Sequence, residues 1–331
     1  MSQEETRNRP LHIAVLSGGD SSEREVSLDS GRCVADALQE RGHRVELFDP
    51  SLESLENLSR STEIILPMLH GTGAEDGTLQ MQLDQLDIPW LGSSAESSRL
   101  TFDKIATRAA LRAAGLPIAP GVALDEAMSD DEMLSASHLI GFPQVIKPAA
   151  QGSSVGVSIV RTDSDVITAI HEARRWGSRF LIEQYIEGRE VTVPVIDGCV
   201  FPAVEILPSV EWYDYFAKYK DDKTVYNVVP PNLPLDLSEV VRTACRVCGV
   251  TAISRTDLRI DGTGRCCILE INTIPGMTSH SLVPMSARSL GISTGELCEQ
   301  LLLKRLCRIR HTRWEGQQET INSLPAAFRS R

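Results

Sequence analysis

The first seventy residues alternate between short apolar runs and one amphipathic segment, and this pattern restricts the fold more than any other feature. The apolar runs end near Gly18-Gly19 and His70-Gly71, where the chain turns. The predicted elements are a strand at 11–17, a helix at 27–40, and strands at 45–48 and 64–69. Strand, helix and strand in this order predict a βαβ unit and a parallel sheet. Such sheets bind ligands beyond the carboxyl ends of their strands, where both glycine turns lie.

A second segment follows, with a different pattern. Its elements are a helix at 101–114, strands at 143–148 and 157–160, a helix at 163–176 and a strand at 180–184. Gly115 and Pro117 close the first of these helices. The loop of small residues at 149–156 joins the first two strands, which predicts an antiparallel hairpin with a long tip. This segment is therefore a small α+β unit.

The last third of the chain is also α+β. Its elements are strands at 190–196 and 199–206, a helix at 237–248, strands at 253–260 and 265–271, and a helix from 292 to about 310. Asp197-Gly198 and the turn at 261–264 predict two hairpins. Residues 208–234 have no clear periodicity but are rich in aromatic side chains, which indicates a functional loop.

These elements predict an α/β and α+β protein of three domains. We expect an N-terminal parallel-sheet domain at 1–103, a small central α+β domain at 104–187 and a C-terminal α+β domain at 188–310. The chain becomes basic from Lys304 on, and we expect 311–331 to form a loosely ordered, solvated tail.

The charge and the cysteines exclude several functions. The net charge of -12 repels polyphosphate backbones, so nucleic acid is not an expected partner. The N-terminus lacks an apolar signal segment, and no apolar run approaches the ~20 residues of a membrane span. The eight cysteines form no disulfide framework, and Cys245 and Cys248 share a helix face that suits a core. We therefore expect a cytoplasmic protein without a membrane partner.

Three oxygen-bearing side chains converge on one predicted hairpin. Asp257 and Glu270 lie on its paired strands, and Asn272 projects from the same face as Glu270. Magnesium prefers such a set, completed by water and phosphate. The alternative is a solvated face, because Arg255, Asp257 and Arg259 alternate along one strand. Glu270, however, is the lone charge in an otherwise apolar strand, which favours a metal.

Other residues suit phosphate and nucleotide. Lys147 ends an apolar strand, where packing explains a lysine poorly, while Lys104 is ambiguous near a helix start. The loop 151–156 has glycines for close approach and serines as donors. The segment 183–190 leaves a strand with carboxylates for ribose hydroxyls and backbone for an adenine edge, or else is a polar linker.

The beginning of the first helix suits a small charged substrate. A helix N-terminus after Gly18-Gly19 favours a bound anion, such as an amino acid carboxylate. Glu23 beside it suits an ammonium group instead. The G-x-G-x-x-G pattern is absent, which makes a nicotinamide enzyme an unfavoured interpretation.

These motifs occur together in one family. The run 272–284, Asn-Thr-Ile-Pro-Gly-Met-Thr-Ser-His-Ser-Leu-Val-Pro, strongly resembles the C-terminal signature of bacterial D-alanine–D-alanine ligases. The resemblance extends to residues 18–27, 69–78, 147–156 and 213–219, in the family's order, from about residue 11 to about 303. The long signature is highly specific, whereas the glycine loops are not.

The resemblance implies an ATP-grasp fold with ATP between the second and third domains. It implies two Mg²⁺ or Mn²⁺ ions on Asp257, Glu270 and Asn272. The implied ATP contacts are Lys104, Lys147, Ser154, Glu183, the backbone near Ile186, and Glu190. The implied set around the first D-amino acid is Glu23, Ser153, Tyr219 and His70. The resemblance also implies that Arg255 and the Gly276 backbone stabilise oxyanions and that Ser281 and Leu282 bind the second amino acid. It implies that Lys218 contacts the transferred phosphate.

The implied reaction is ATP-dependent joining of two D-alanines through an acyl phosphate, for peptidoglycan precursors, by a homodimer. In the family a tyrosine at Tyr219 goes with D-alanine as second substrate, and phenylalanine with D-lactate. The alternatives are a ligase that takes D-lactate or D-serine second, and a non-catalytic nucleotide-binding homologue. The departures, Gln151, Phe216, Ile274 and 66–68, remove no chemical group that the mechanism needs.

Overall fold

The computed structural model describes residues 9–209 and 223–323, the last helix beyond residue 309 by its backbone alone. A parallel three-stranded sheet begins the fold, in the order β2–β1–β3. Its strands are β1 (His12–Leu16), β2 (Arg44–Phe48) and β3 (Ile64–Pro67), and helix α1 (Arg24–Glu40) connects the first two. The predicted βαβ unit is confirmed, and every residue of β1 is buried, as expected of a central strand.

Three helices lead out of this sheet: α2 (Thr78–Asp84), α3 (Ala95–Phe102) and α4 (Lys104–Ala113). The prediction of one helix at 101–114 is wrong, because Asp103 interrupts it. Asp103 has extended backbone (φ -83°, ψ 101°), and its side chain accepts hydrogen bonds from the N–H groups of Ile105 and Ala106. An aspartate that caps a new helix competes with continuation of the old one. Lys104 is thereby placed on the first turn of α4.

The central segment is an antiparallel sheet with two helices packed against it. Its elements are β4 (Gly121–Asp125), α5 (Asp130–Ile140), β5 (Gln144–Pro148), β6 (Ser158–Val160), α6 (Val166–Arg174) and β7 (Arg179–Gln184). The strand order is β4–β7–β5–β6, and the predicted hairpin of β5 and β6 is confirmed. Met133, Ile146, Ile170 and Phe180 lie in one buried core.

The third segment is a six-stranded antiparallel sheet. Its elements are β8 (Arg189–Ile196), β9 (Cys199–Val200), β10 (Val204–Leu207), β11 (Val225–Val228), α7 (Leu237–Val247), β12 (Ile253–Ile260) and β13 (Cys266–Asn272). The order is β11–β10–β8–β12–β13, with β9 also paired to β8. The predicted hairpin of β12 and β13 is confirmed, and Asp257 faces Glu270 across it.

Pro202 divides the strand predicted at 199–206. Val200 pairs with Val195 and Val204 pairs with Thr192, so the chain between them is one residue longer than its partner. Proline has no N–H to give to a ladder, and a bulge at this point lets the strand continue.

Two helices complete the fold, α8 (Leu282–Ser289) and α9 (Thr294–Ser323). Helix α9 runs past its predicted end near residue 310 and packs against α1, where Leu297, Leu301 and Leu302 share one core with Val34 and Leu38. Among the described helices, none combines the length and the apolar character that crossing a membrane requires. All eight cysteines are free thiols, and Cys245 and Cys248 are buried as predicted.

Candidate active site

Two adjoining cavities lie where the three segments meet. The amino acid cavity, about 950 Å³ of open space, is lined by residues of all three segments. The nucleotide cavity, about 910 Å³, lies between the central sheet and the C-terminal sheet. Lys104, Gln151 and Glu270 line both cavities, so the two spaces meet at these side chains. Each cavity is named after the ligand that the family resemblance predicts for it.

Every residue that the family resemblance assigns to the site and that the structure describes lines one of these cavities or both. The amino acid cavity holds Glu23, His70, Lys104, Ser153, Arg255, Glu270, Asn272, Gly276, Ser281 and Leu282. The nucleotide cavity holds Lys104, Lys147, Ser154, Glu183, Ile186, Glu190, Asp257 and Glu270. Lys218 and Tyr219 lie outside the described residues. The structure thus brings together predicted residues from elements that are far apart along the chain.

Glu23 and Ser153 connect the first segment to the central loop. Ser153 Oγ donates a hydrogen bond to Glu23 Oε1, and Glu23 precedes the first turn of α1. Gly152 permits this approach, because a Cβ on it would lie 2.5 Å from Glu23 Oε2. Ser153 and Ser154 have left-handed backbone, with φ of 47° and 60°. This strained turn holds the Ser153 hydroxyl against the Glu23 carboxylate, and both residues line the amino acid cavity.

Gly18-Gly19 does not form the anion site predicted at the start of α1. The Gly19 N–H donates to Asp49 Oδ1, 3.0 Å away, and the Gly18 N–H donates to Ser27 Oγ. Burial by itself would raise the pKa of Asp49, but hydrogen bonds from Arg24, Gly19 and Ser51 outweigh it and lower the pKa to about 2. Asp49 thus supplies the negative charge at this turn, and neither glycine lines the cavities.

His70 is buried in the wall of the amino acid cavity. Its Nε2 lies 3.3 Å from Ser30 Oγ, and Ser30 Oγ also accepts the N–H of Met277. Its Nδ1 lies 3.8 Å from a carboxylate oxygen of Glu75, a buried residue whose other oxygen accepts the Gly71 N–H. The sequence prediction missed Ser30 and Glu75. The signal available for Glu75 was a carboxylate four residues after His70-Gly71.

The segment after β13 forms the far end of the amino acid cavity. Ser281 Oγ accepts the N–H of Thr278 and lies 2.9 Å from Thr278 Oγ1, which closes a tight turn before α8. A Cβ on Gly276 would lie 3.0 Å from Ser281 Oγ. Leu282 begins α8 and is buried. Hydroxyls and backbone at a helix start suit a small zwitterion or its carboxylate.

The predicted metal ligands lie where the cavities meet. Asp257 accepts hydrogen bonds from Arg255 at both oxygens, at 2.8 and 2.7 Å, and from Thr192 Oγ1 at 2.6 Å. Glu270 Oε2 lies 3.2 Å from Lys104 Nζ. Arg255 and Asp257 are mostly buried, so the alternative of a solvated charged face is wrong.

The donor set fits a hard divalent cation. It comprises two carboxylates and, from Asn272, an amide oxygen that also accepts the N–H of Ile274. Within the part of the chain that the structure describes, no three His, Cys, Asp or Glu side chains group to hold a metal. A cation here would therefore complete its shell with phosphate and water, as Mg²⁺ prefers.

A buried charge cluster forms one wall of the nucleotide cavity. Glu183, at the end of β7, is 4% exposed and forms ion pairs with Lys147 and with Arg108 of α4. Arg108 also donates to the carbonyl of Ala119, at 2.7 Å. The sequence prediction identified Lys147 and Glu183 but missed Arg108, because the sequence shows Arg108 only as one charged residue on a predicted helix.

A second group of residues that line the nucleotide cavity surrounds Arg259. Its guanidinium donates to Glu190 at 3.0 Å and to the carbonyl of Ile186 at 3.0 Å. It also lies 5.2 Å from the ring centre of Tyr185, within cation–π range. Arg259 thus lies among a carboxylate, a backbone carbonyl and an aromatic ring, and a base and a sugar would fit in this part of the cavity.

The loop 149–156 closes the boundary between the cavities. Lys104 Nζ donates to the carbonyl of Gln151 at 2.6 Å, and the Lys104 N–H donates to the carbonyl of Ala149. The first turn of α4 thereby holds the loop at Ala149 and at Gln151. Lys104 then contacts the loop and Glu270 together, so one ammonium group lies at the centre of the site.

Known proteins resemble this chain in sequence and in fold. A family model described as "D-ala D-ala ligase C-terminus" matches residues 110–303. Over 295 residues the chain is 42% identical to the D-alanine–D-alanine ligase of Glaesserella parasuis serovar 5, covering 88% of this chain and 96% of that one. A solved D-alanine–D-alanine ligase structure from Bacillus anthracis has a TM-score of 0.78 at 30% identity, covering 92% and 99% of the two chains. A second structure of that name, complexed with ATP, has a TM-score of 0.77 at 28% identity and the same coverage.

The fold defines an ATP-grasp enzyme, whose central and C-terminal α+β segments border one of the two cavities. The first segment adds a second cavity beside it. The chain belongs to the D-alanine–D-alanine ligase family.

Proposed function

We propose that the protein joins two molecules of D-alanine into D-alanyl-D-alanine with ATP, through an acyl phosphate, for peptidoglycan precursor synthesis. One observation carries the proposal: the two cavities meet at Lys104, Gln151 and Glu270. An amino acid carboxylate in one cavity and a triphosphate in the other would meet at that point. The family membership of the chain supplies the identity of the amino acid.

The first step is transfer of a phosphoryl group. A carboxylate oxygen of the first D-alanine attacks the γ-phosphorus, the bond to the β,γ-bridging oxygen breaks, and ADP leaves. This reaction needs mainly positioning and neutralisation of charge. Lys147 and Lys104 act as cations near the phosphates, with Ser154 as a donor from the loop. A divalent cation held by Asp257, Glu270 and Asn272 would add positive charge there.

The second step forms the peptide bond. The uncharged amine of the second D-alanine attacks the acyl carbon, the carbon–oxygen bond to phosphate breaks, and the amine loses a proton. Negative charge grows on the acyl oxygen, and we assign its stabilisation to Arg255 and the Gly276 backbone. Ser281 and Leu282 hold the second substrate, while Glu23, Ser153 and His70 surround the first. Lys218 and Tyr219 complete the proposed set by phosphate contact and by hydrogen bonding.

The deciding assay combines ATP, Mg²⁺ and D-alanine and measures dipeptide and phosphate together. We expect one phosphate per dipeptide, with both lost in Arg255→Ala. Turnover with D-lactate or D-serine, and none with D-alanine alone, would instead assign a different second substrate. Binding of ATP with no turnover on any of these would contradict the ligase proposal.

Three further attributes belong to the same proposal. We expect activity with Mg²⁺ or Mn²⁺ from two bound ions, a homodimer, and a cytoplasmic location. The oxygen-only donor set supports the ions, and the eight free thiols suit a reducing compartment. Metal titration and light scattering of the purified protein test the first two.

A further inference from the structure

Arg108 lies directly behind the nucleotide cavity, and the proposed mechanism assigns it no role. It occupies the second turn of α4, and its side chain is 8% exposed. Its guanidinium binds Glu183 on β7 and the carbonyl of Ala119, which links α4 to the central sheet. Ala119, Lys147 and Glu183 line the cavity, whereas Arg108 does not.

The position of the guanidinium is closely restricted. A Cβ on Gly121 would lie 2.8 Å from Arg108 Nη2 and 2.7 Å from the carbonyl of Ile182. The absence of a side chain at Gly121 is therefore what leaves room for Arg108 beside β4. An arginine fork held at two points has little freedom, and it fixes the carboxylate that it binds.

The charges of the cluster do not cancel. Arg108 binds one oxygen of Glu183 and Lys147 binds the other, so two cations share one carboxylate. Without Arg108, the Lys147–Glu183 pair would be neutral overall and would attract a polyphosphate weakly. With Arg108, the cluster keeps one net positive charge beside the cavity, in a poorly screened interior.

We propose that Arg108 is a positioning residue for ATP. It holds Glu183 so that Lys147 Nζ points into the nucleotide cavity, and its own positive charge offsets the negative charge of Glu183. The role is indirect, because Arg108 acts through Glu183 and does not touch the nucleotide. It rests on the proposed function in that ATP occupies this cavity. It is specific to the nucleotide, because Glu183 and Lys147, the residues through which Arg108 acts, line the nucleotide cavity and not the amino acid cavity.

The test compares Arg108→Gln and Arg108→Lys with Arg112→Gln. Arg112 lies one turn further along the same helix and is exposed, so its change removes the same charge without touching the cluster. Titration calorimetry with a non-hydrolysable ATP analogue and Mg²⁺ gives nucleotide affinity, and steady-state kinetics give kcat and both KM values. Circular dichroism and thermal unfolding confirm that each variant is folded.

We expect Arg108→Gln to weaken nucleotide binding and raise the ATP KM by about tenfold, the scale of one nearby unit charge. The KM for D-alanine should stay within about twofold, since that cavity is untouched. Arg108→Lys keeps the charge but cannot bridge both partners, so we expect about a threefold effect. Arg112→Gln should match the wild type.

Three results would overturn the proposal: unchanged nucleotide affinity in Arg108→Gln, an equal rise in both KM values, or the same loss in Arg112→Gln. If Arg108→Gln fails to fold, the lysine variant decides, since wild-type nucleotide affinity in it would exclude a positioning role. The calorimetry is independent of turnover. Failure to form dipeptide would therefore refute the proposed function while leaving the role of Arg108 decided by binding alone.

Discussion

Asp257 and Glu270 face each other across a hairpin, and each is bound to a different cation, Asp257 to Arg255 and Glu270 to Lys104. The two cations belong to different segments of the chain, since Arg255 lies on β12 and Lys104 begins α4. A metal ion at the carboxylates would change the charge that both cations experience. The metal, the arginine and the lysine are therefore expected to act as one electrostatic unit.

Glu270→Gln tests this unit. Loss of one carboxylate should raise the Mg²⁺ concentration for half-maximal activity by about tenfold, equivalent to about 1.4 kcal/mol. Binding of Mn²⁺, followed by electron paramagnetic resonance, should weaken in parallel. Glu187→Gln is the control, because Glu187 is exposed and near the same cavity. Equal behaviour of the two variants would refute Glu270 as a metal ligand.

Gly152→Ala should damage the amino acid cavity. The added Cβ would lie 2.5 Å from Glu23 Oε2 and would separate the loop from the start of α1. We expect the KM for D-alanine to rise by roughly tenfold or more, because small misplacements of substrate-holding groups are costly. Gly177→Ala is a matched control, since its Cβ would meet no atom within 4 Å. A variant with wild-type D-alanine KM would argue against the role of Glu23 and Ser153.

Asp103→Ala should reduce stability and activity together. Loss of the cap is expected to cost about 1 kcal/mol in the free energy of unfolding, measured by urea denaturation. Lys104 follows directly, so kcat/KM should also fall. Ser129→Ala removes a comparable cap from α5, which lies away from the cavities. It should cost similar stability and leave kcat/KM unchanged; a loss of activity there too would show that capping acts only through global stability.

Asp49 should make stability depend on acid pH. Its pKa, about 2, is below the ordinary value of 3.8, so the ionised carboxylate stabilises the folded state above pH 4. That contribution, about 2 kcal/mol, should disappear as the pH falls from about 4 to about 2. The difference in unfolding free energy between wild type and Asp49→Asn should be constant near neutral pH and shrink in this window. A difference that does not change with pH would contradict the assignment.

The cysteines should differ sharply in reactivity. Burial raises the pKa of Cys298 and of Cys248 to about 12, so almost no thiolate is present at pH 8. Cys199 is exposed. In pulsed alkylation of the folded protein, read by mass spectrometry, Cys199 should react first and the two buried thiols only on unfolding. Early labelling of Cys298 would indicate that α9 leaves its core.

Features encoded by local patterns were predicted well. Alternation on both sides of the turn at 261–264 places Asp257 opposite Glu270, and the structure pairs them as expected. The βαβ unit followed in the same way from apolar runs and glycine turns. The prediction failed where a local signal competed with a longer pattern. Helical spacing continues through Asp103, so the sequence favoured one long helix over the cap that Asp103 forms.

Contacts between distant residues could not be predicted from local patterns. Arg108 and Glu183 are 75 positions apart, and periodicity shows only that Arg108 lies on a helix. The Gly19 N–H is taken by Asp49, thirty positions on, which removes the anion site that the turn by itself indicated. Tyr219 and Lys218 lie outside the described residues, so their roles rest on the family resemblance.

The packing of α9 on α1 has a consequence for synthesis of the chain. Leu297, Leu301, Leu302 and Leu306 complete the core beneath the first sheet, together with Ile13 and Val15 of β1. A ribosome makes the sheet first and these leucines more than two hundred residues later. Until α9 is made, this core lacks its leucines and part of its apolar surface stays exposed, and such surfaces are where newly made chains aggregate. Synthesis of the last helix therefore completes the protection of the first strands from aggregation and proteolysis, although no described side chain of this helix lines either cavity.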